Sequence, residues 1–195
     1  MPSDFDGDGK TDLAILRNET LWGAPARFWI LRSSTGTGTN IAFGISGYDK
    51  PVTADYDGDG KDDLGVSRGF YPVNRAYNWS VLQSSNGVLK TTRFGLATDS
   101  LVPADYDGDK KADIAVWRAS DGFWYRINSL DNSFASIQFG QMGDKPVPAD
   151  YDGDGKTDVA VYRDGIWYLL QSRDGFAAHQ FGQYNDNPIP YAFVR

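Results

Sequence analysis

Short apolar runs with no helical period alternate along this chain with turn-forming Gly, Pro, Asp and Asn, a pattern that predicts strands and turns throughout. One set of runs ends in arginine: Leu13 to Arg17, Leu64 to Arg68, Ile114 to Arg118 and Val159 to Arg163. A second begins on an aromatic residue and ends on serine: Phe28 to Ser33, Trp79 to Ser84, Trp124 to Ser129 and Trp167 to Ser172. A third closes on Phe-Gly, at residues 43–44, 94–95, 139–140 and 181–182. A fourth, 51–54, 101–104 and 146–149, leads into the next cycle, and its prolines suit the first residues of a strand or a position that lacks a ladder donor. Val159-Ala160-Val161-Tyr162 is apolar at successive positions, which predicts a strand covered on both faces.

Four strands joined by tight turns make one antiparallel sheet, and the cycle repeats at spacings of 51, 50 and 45 residues. A period of that length points to propeller blades or a solenoid, because one such sheet cannot bury both faces alone. The expected fold is therefore all-β: a β-propeller of four-stranded antiparallel blades in a single domain over 1–195. The repeats run approximately 1–44, 45–95, 96–140 and 141–182. Repeat 1 has little sequence ahead of its first loop, whereas residues 188–194 resemble the fourth strand type with no loop after them. The expectation is a closed four-bladed ring in which strand 188–194 completes the first blade.

Between the fourth strand type and the next cycle lies the chain's most regular feature, a nine-residue loop typified by Asp150-Tyr-Asp-Gly-Asp-Gly-Lys-Thr-Asp158. Asp stands at positions 1, 3, 5 and 9 in all four copies, a spacing that lets a tight turn aim carboxylates at one centre. Carboxylates packed so closely resist ionising together, and a hard divalent cation with 6 to 8 oxygen ligands resolves that repulsion. The expected ligands are Asp4, Asp6, Asp8 and Asp12 with the Lys10 carbonyl; Asp55, Asp57, Asp59 and Asp63 with Lys61; Asp105, Asp107, Asp109 and Asp113 with Lys111; and Asp150, Asp152, Asp154 and Asp158 with Lys156. Ca²⁺ fits best, up to four ions, in a structural role. The third loop carries Lys110 where the others have Gly9, Gly60 and Gly155, which predicts backbone strain and the weakest of the four sites.

Charge and composition narrow the partners. The formal net charge is -7, and sixteen of the 26 acidic residues occupy those loop positions, so four calcium ions would bring the count to +1. The acidity is local, and without a basic patch no nucleic-acid partner is expected. No apolar run approaches the roughly 20 residues of a membrane-spanning helix, so no membrane insertion is expected. With no cysteine and one histidine, His179, the sequence offers no thiol nucleophile, no cysteine zinc site and no Ser-His-Asp set, so an enzyme is not expected.

The Asp-x-Asp-Gly-Asp-Gly-x-x-Asp loop entering a Leu-Ala-Val-like strand, with Phe-Gly upstream, resembles the FG-GAP or VCBS repeat and, more distantly, the propeller of integrin alpha subunits. The resemblance covers essentially the whole chain. It implies that the loops are structural calcium sites and that the protein works in adhesion, carbohydrate binding or an accessory role beside enzymes.

Sites of recognition are sought where the repeats differ. The connector after the arginine is two residues long in repeat 4, but expands to Asn18–Arg27 and Gly69–Asn78 in repeats 1 and 2. These carry Trp22, Phe70, Tyr71 and Tyr77, aromatics that on exposed loops stack on sugar faces or anchor a protein. Trp29, Trp79, Trp124 and Trp167 lie on strands at repeat-related positions and are expected in the core. Arg17, Arg68, Arg118 and Arg163 stand at strand ends, where a charge between blades needs an acidic or carbonyl partner. The expected function is a calcium-stabilised, non-enzymatic recognition module for carbohydrate or a cell-surface protein, secreted or at the cell surface. The alternative is a structural or assembly module of a larger secreted protein.

Overall fold

The computed structural model describes residues 3–21, 23–69 and 76–189 of the 195. It is all-β. The first sheet has three strands, β1 (Leu13–Arg17), β2 (Pro25–Leu31) and β3 (Gly38–Ile45), in that order. The second runs β4 (Asp49–Pro51), β5 (Leu64–Gly69), β6 (Ala76–Leu82), β7 (Leu89–Leu96). The third runs β8 (Ser100–Leu101), β9 (Ile114–Arg118), β10 (Phe123–Ile127), β11 (Phe134–Gln138). The fourth runs β12 (Lys145–Pro146), β13 (Val159–Arg163), β14 (Ile166–Gln171), β15 (Gly175–Gln180). Every pairing is antiparallel between neighbours in sequence, as tight turns require.

Sheets 2 to 4 match the expected four-stranded blades, with their short first strand placed ahead of the Asp loop, and sheet 1 has three strands among the described residues. Each Asp loop is closed at its base by an isolated bridge: Ser3 with Asp12, Ala54 with Asp63, Ala104 with Asp113 and Ala149 with Asp158. In sheets 2 to 4 the loop thus joins the outermost strand of its sheet to the next one.

The chain divides into two compact units, Met1–Ala97 and Thr98–Arg195. In the first unit, Phe28 and Ile30 of β2 pack against Leu64 and Val66 of β5, with Phe5, Phe43 and Leu82 alongside. In the second, Val159 and Val161 of β13 pack with Trp117 and Trp124 of sheet 3, and Val147, Ala160, Tyr162 and Leu169 form a further cluster. β5 and β13 are therefore covered on both faces, as the unbroken apolar sequence of β13 predicted. β1 has a similar sequence but a different environment: Leu13 is 70% exposed and Ile15 54% exposed.

Two expectations are corrected here. Trp29 is not a core residue; it is 38% exposed and faces the same way as Ile15, its cross-strand partner. The register explains why. Phe28 pairs with Leu16 as Trp79 pairs with Ser67, Trp124 with Trp117 and Trp167 with Tyr162, so Phe28 holds the position of the repeated tryptophans. Tyr77 is not on an exposed connector either. It lies in β6, is 1% exposed, accepts a hydrogen bond from Lys50 Nζ and donates one to the Ala97 carbonyl. Of the expected closing strand, Ile189 is exposed and 190–194 lie outside the described residues.

Candidate metal centres

Hydrogen bonds within each loop set its shape before any ion is considered. The Asp at position 1 accepts two backbone N–H groups, from positions 4 and 6: Gly7 and Gly9 for Asp4, Gly58 and Gly60 for Asp55, Gly108 and Lys110 for Asp105, Gly153 and Gly155 for Asp150. These bonds draw the chain into a turn in which position 6 has positive φ, the conformation glycine adopts without cost. Position 9 is a brace. Its Oδ2 accepts the N–H of position 2, and its Oδ1 accepts the N–H of Ser33, Ser84, Ser129 or Ser172 at 2.6–2.7 Å.

The same serines make a second bond. Each Oγ donates to the position-5 carboxylate, Ser33 to Asp8, Ser84 to Asp59, Ser129 to Asp109 and Ser172 to Asp154. The turn between the second and third long strands of each sheet is thereby fastened to the acidic loop. Position 3 also reaches that turn: Asp6 and Asp57 accept from Ser34 and Ser85 hydroxyls, Asp107 from the Leu130 N–H, and Asp152 from the N–H groups of Arg173 and Asp174.

Carboxylate oxygens converge in all four loops. Asp55, Asp57 and Asp63, then Asp105, Asp107 and Asp113, then Asp150, Asp152 and Asp158 each place three oxygens within 4.8 Å of one another. In the first loop the convergent set is Asp4, Asp6 and Asp8. The position-5 residues Asp59, Asp109 and Asp154 and the position-9 residue Asp12 stand outside these triads and are held by the hydrogen bonds above. The Lys10, Lys61, Lys111 and Lys156 carbonyls belong to the same turns; that of Lys111 lies 3.5 Å from Ser129 Oγ.

Electrostatics shows what the clusters lack. Burial pushes Asp63 and Asp113 up to about 6, and the neighbouring Asp57 and Asp107 charges add to the effect despite the amides that oppose it. Asp55, Asp105 and Asp158 are raised by burial in the same direction. The clusters hold excess negative charge in partly desolvated turns, and an oxygen-only donor set suits a hard cation such as Ca²⁺. The residues fit the group.

Within each unit, neighbouring loops are joined. The Asp62 N–H donates to the Asp4 carbonyl at 2.7 Å, and the Thr157 N–H to the Asp105 carbonyl at 2.6 Å. The Asp62 carboxylate also accepts the Asp4 N–H, and burial pushes it up to about 6.

At the opposite end of the sheets, three of the four repeated arginines find carboxylates, and the fourth, Arg17, lies 4.7 Å from the centre of the Trp29 ring. Arg68 pairs with Asp49, Arg118 with Asp99 and Arg163 with Asp144, each through two bonds of 2.6–3.0 Å. Asp49 and Asp144 also accept a turn N–H, from Ile45 and Gln141. The Phe-Gly glycine makes room there: at Gly44 and Gly140, both at positive φ, an added Cβ would come within 3.0–3.2 Å of the aspartate Oδ2. Sequence reading anticipated an acidic or carbonyl partner for each of the four arginines without naming it, and three have a carboxylate. The signal was the constant interval of 19 residues between Asp and Arg.

Fold and site together define a class: β-blade repeats whose entry turns carry convergent carboxylates. The FG-GAP-like repeat family matches the chain over residues 4–66 and 105–161, and the chain belongs to that family. Each match begins at position 1 of one loop and runs through the next loop into the strand beyond it. No curated protein matches the chain.

Proposed function

We propose that this chain is a calcium-stabilised, non-enzymatic recognition module that works outside the cell, with carbohydrate or a surface protein as its ligand. The observation that carries the calcium half is the fourfold recurrence of a convergent carboxylate triad inside a turn already shaped by backbone amides. Three negative charges at one point, partly buried, repel one another more than their hydrogen bonds offset, which a cation relieves, and the millimolar calcium of an extracellular setting fills sites of modest affinity. Membership of a family that is generally non-catalytic supports the absence of an enzymatic role. The recognition half rests on the unequal connectors after β1 and β5. Trp22, Phe70 and Tyr71 lie outside the described residues. Tyr77, buried, has no part in it.

Calorimetric titration of chelator-treated protein checks the calcium sites, with saturable binding approaching four ions expected. A titration with no binding heat and no rise in melting temperature would remove the calcium reading. A glycan array, run with calcium and with chelator, checks the ligand class. Binding lost with chelator is expected; an array blank in calcium rules out carbohydrate and leaves a protein ligand. The second reading, an assembly module of a larger secreted protein, is favoured by one observation, the bare apolar face of sheet 1.

A further inference from the structure

We infer, resting on the calcium reading above, that Asp62 serves two calcium sites at once, those of the first and second loops. It makes this pair bind the ion more tightly than the third and fourth loops, where the equivalent residue is Thr157. Position 8 of the loop is Thr11, Asp62, Ala112 or Thr157, so Asp62 is the one acidic residue at that position. It belongs to none of the convergent triads.

The loops meet in pairs, one pair inside each compact unit. The position-8 N–H of the later loop donates to the position-1 carbonyl of the earlier one, Asp62 to Asp4 at 2.7 Å and Thr157 to Asp105 at 2.6 Å. The position-7 lysine of the later loop lies over the position-4 glycine of the earlier one. A Cβ added at Gly7 would stand 3.1 Å from Cγ and Cε of Lys61, and one at Gly108 would stand 2.8 Å from Cε of Lys156. At Gly153, in the later loop of its pair, an added Cβ would meet nothing within 4 Å. The contact therefore belongs to the pairing and not to the turn, and it puts position 8 of one loop against the leading ligand residue of the other.

The two pairs differ in the side chain at that point. The Asp62 carboxylate accepts the Asp4 N–H at 3.1 Å and a hydrogen bond from the Ser3 hydroxyl, whose oxygen lies 3.0 Å from Thr53 Oγ1. Its charge interacts with Asp4 of the first triad and with Asp55 of the second. It is also half-buried, where a charge is screened less than on an open surface. One fixed negative charge thus lies between two clusters, a member of neither, and its attraction for a divalent ion reaches both. Thr157 makes the same main-chain bond and brings no charge. The first two loops hold nine aspartates and two lysines, a formal charge of -7, whereas the last two hold eight aspartates and three lysines, a formal charge of -5. Asp62 supplies one unit of that difference and Lys110 the other.

Calorimetric titration of the chelator-treated chain with Ca²⁺ is expected to resolve two tighter and two weaker ions. Asp62→Asn keeps the shape and an acceptor for the Asp4 N–H while removing the charge. It is expected to weaken two ions, each on the order of fivefold, by an amount that shrinks as salt is raised. In chelator the same variant is expected to melt higher, because the metal-free loops lose a repulsion. A merely structural Asp62 would give the opposite pair of results, unchanged calcium affinity and a lower melting temperature, and would overturn the inference. Thr157→Asp is the reciprocal change and is expected to tighten the two weaker ions. Thr157 is buried, so if that variant fails to fold, the isosteric Asp62→Asn decides alone. Four ions bound with a shift confined to one of them, or with no shift, overturns the inference and leaves the calcium reading in place. No ion bound by the unaltered chain overturns both.

Discussion

Lys110 offers the cleanest internal experiment on the loops, because the chain carries its own controls. Its φ is +68°, in the left-handed region where Gly9, Gly60 and Gly155 of the other loops have +81°, +84° and +89°. The Lys110 N–H still donates to Asp105 at 2.8 Å, as the Gly60 N–H donates to Asp55 at 2.9 Å, so the loop holds the lysine backbone in a glycine conformation. A left-handed L residue costs roughly 1–2 kcal/mol. Glycine returns about 0.5–1 kcal/mol of that through the greater entropy of its unfolded chain. Lys110→Gly is therefore expected to stabilise by about 1 kcal/mol, which for a domain of this size raises the melting temperature by about 2–4 °C.

The reverse change is Gly60→Ala, where an added Cβ meets nothing within 4 Å, so the cost is the backbone alone and comes to about 1 kcal/mol. Urea melts with and without chelator measure both. Neutral behaviour of Gly60→Ala, or destabilisation by Lys110→Gly in chelator, refutes the strain argument. Calcium titration of Lys110→Gly adds the electrostatic half: with a cation removed beside Asp105 and Asp109, the third site is expected to tighten. Four sites of equal affinity in the unaltered chain would contradict that half and leave the strain argument standing.

Other expectations follow from single contacts. Asp144→Ala leaves Arg163 without its buried partner and is expected to cost about 2–3 kcal/mol in urea melts, below the range for fully buried pairs because the arginine side chain is 30% exposed. Ser67 Oγ is buried with no hydrogen-bond partner among the described residues, so Ser67→Ala is expected to be neutral or stabilising by up to about 1 kcal/mol. Asp63 and Asp113 are raised from the ordinary 3.8 to about 6, so in chelator each costs stability that accumulates as pH rises from about 4 to about 6 and stays constant above that. Stability of the calcium-free protein should thus rise as pH falls from about 6 towards 4, and Asp63→Asn should flatten the rise. With calcium present the trend reverses, because protons displace the ion; a rise of the same size in both conditions would sink the assignment of these carboxylates to the sites.

Much of the fold was written in short-range pattern. Four arginine-ended apolar runs became β1, β5, β9 and β13, three of them with the predicted limits. The serine-ended runs stop earlier as strands: β10 ends at Ile127 and β14 at Gln171, because the serine leaves the ladder to bond the Asp loop. That role was invisible as spacing alone, since the serine and its carboxylates are 14 to 25 residues apart and meet only across the sheet. Trp29 misled because an aromatic pair, Phe28-Trp29, offers two choices of phase, and only the pairing of Phe28 with Leu16 settles which side chain faces the next sheet. Burial of Tyr77 was unreadable for a different reason: its hydroxyl contacts, Lys50 and Ala97, come from near the start of its repeat and from just beyond its end. The Asp-to-Arg interval was legible in principle, as a second period running alongside the loop's own.

The loops' hydrogen bonds bear on what calcium contributes. In a site assembled by its ion, ligand geometry depends on coordination and the metal-free chain unfolds, as in small zinc domains. Here the turn is drawn in by two amides on position 1, the loop base is tied by the bridge and by position 9, and the adjoining turn is fastened by a serine, all through protein groups alone. Shape is therefore supplied by the chain, and what remains unmet is charge: several carboxylates within a few ångströms and too little water around Asp63 and Asp113. A divalent ion meets that need without having to create the turn. The metal-free protein is accordingly expected to keep its sheets at neutral pH while losing stability, and ionic strength should restore part of what calcium removal takes, because screened carboxylates repel less.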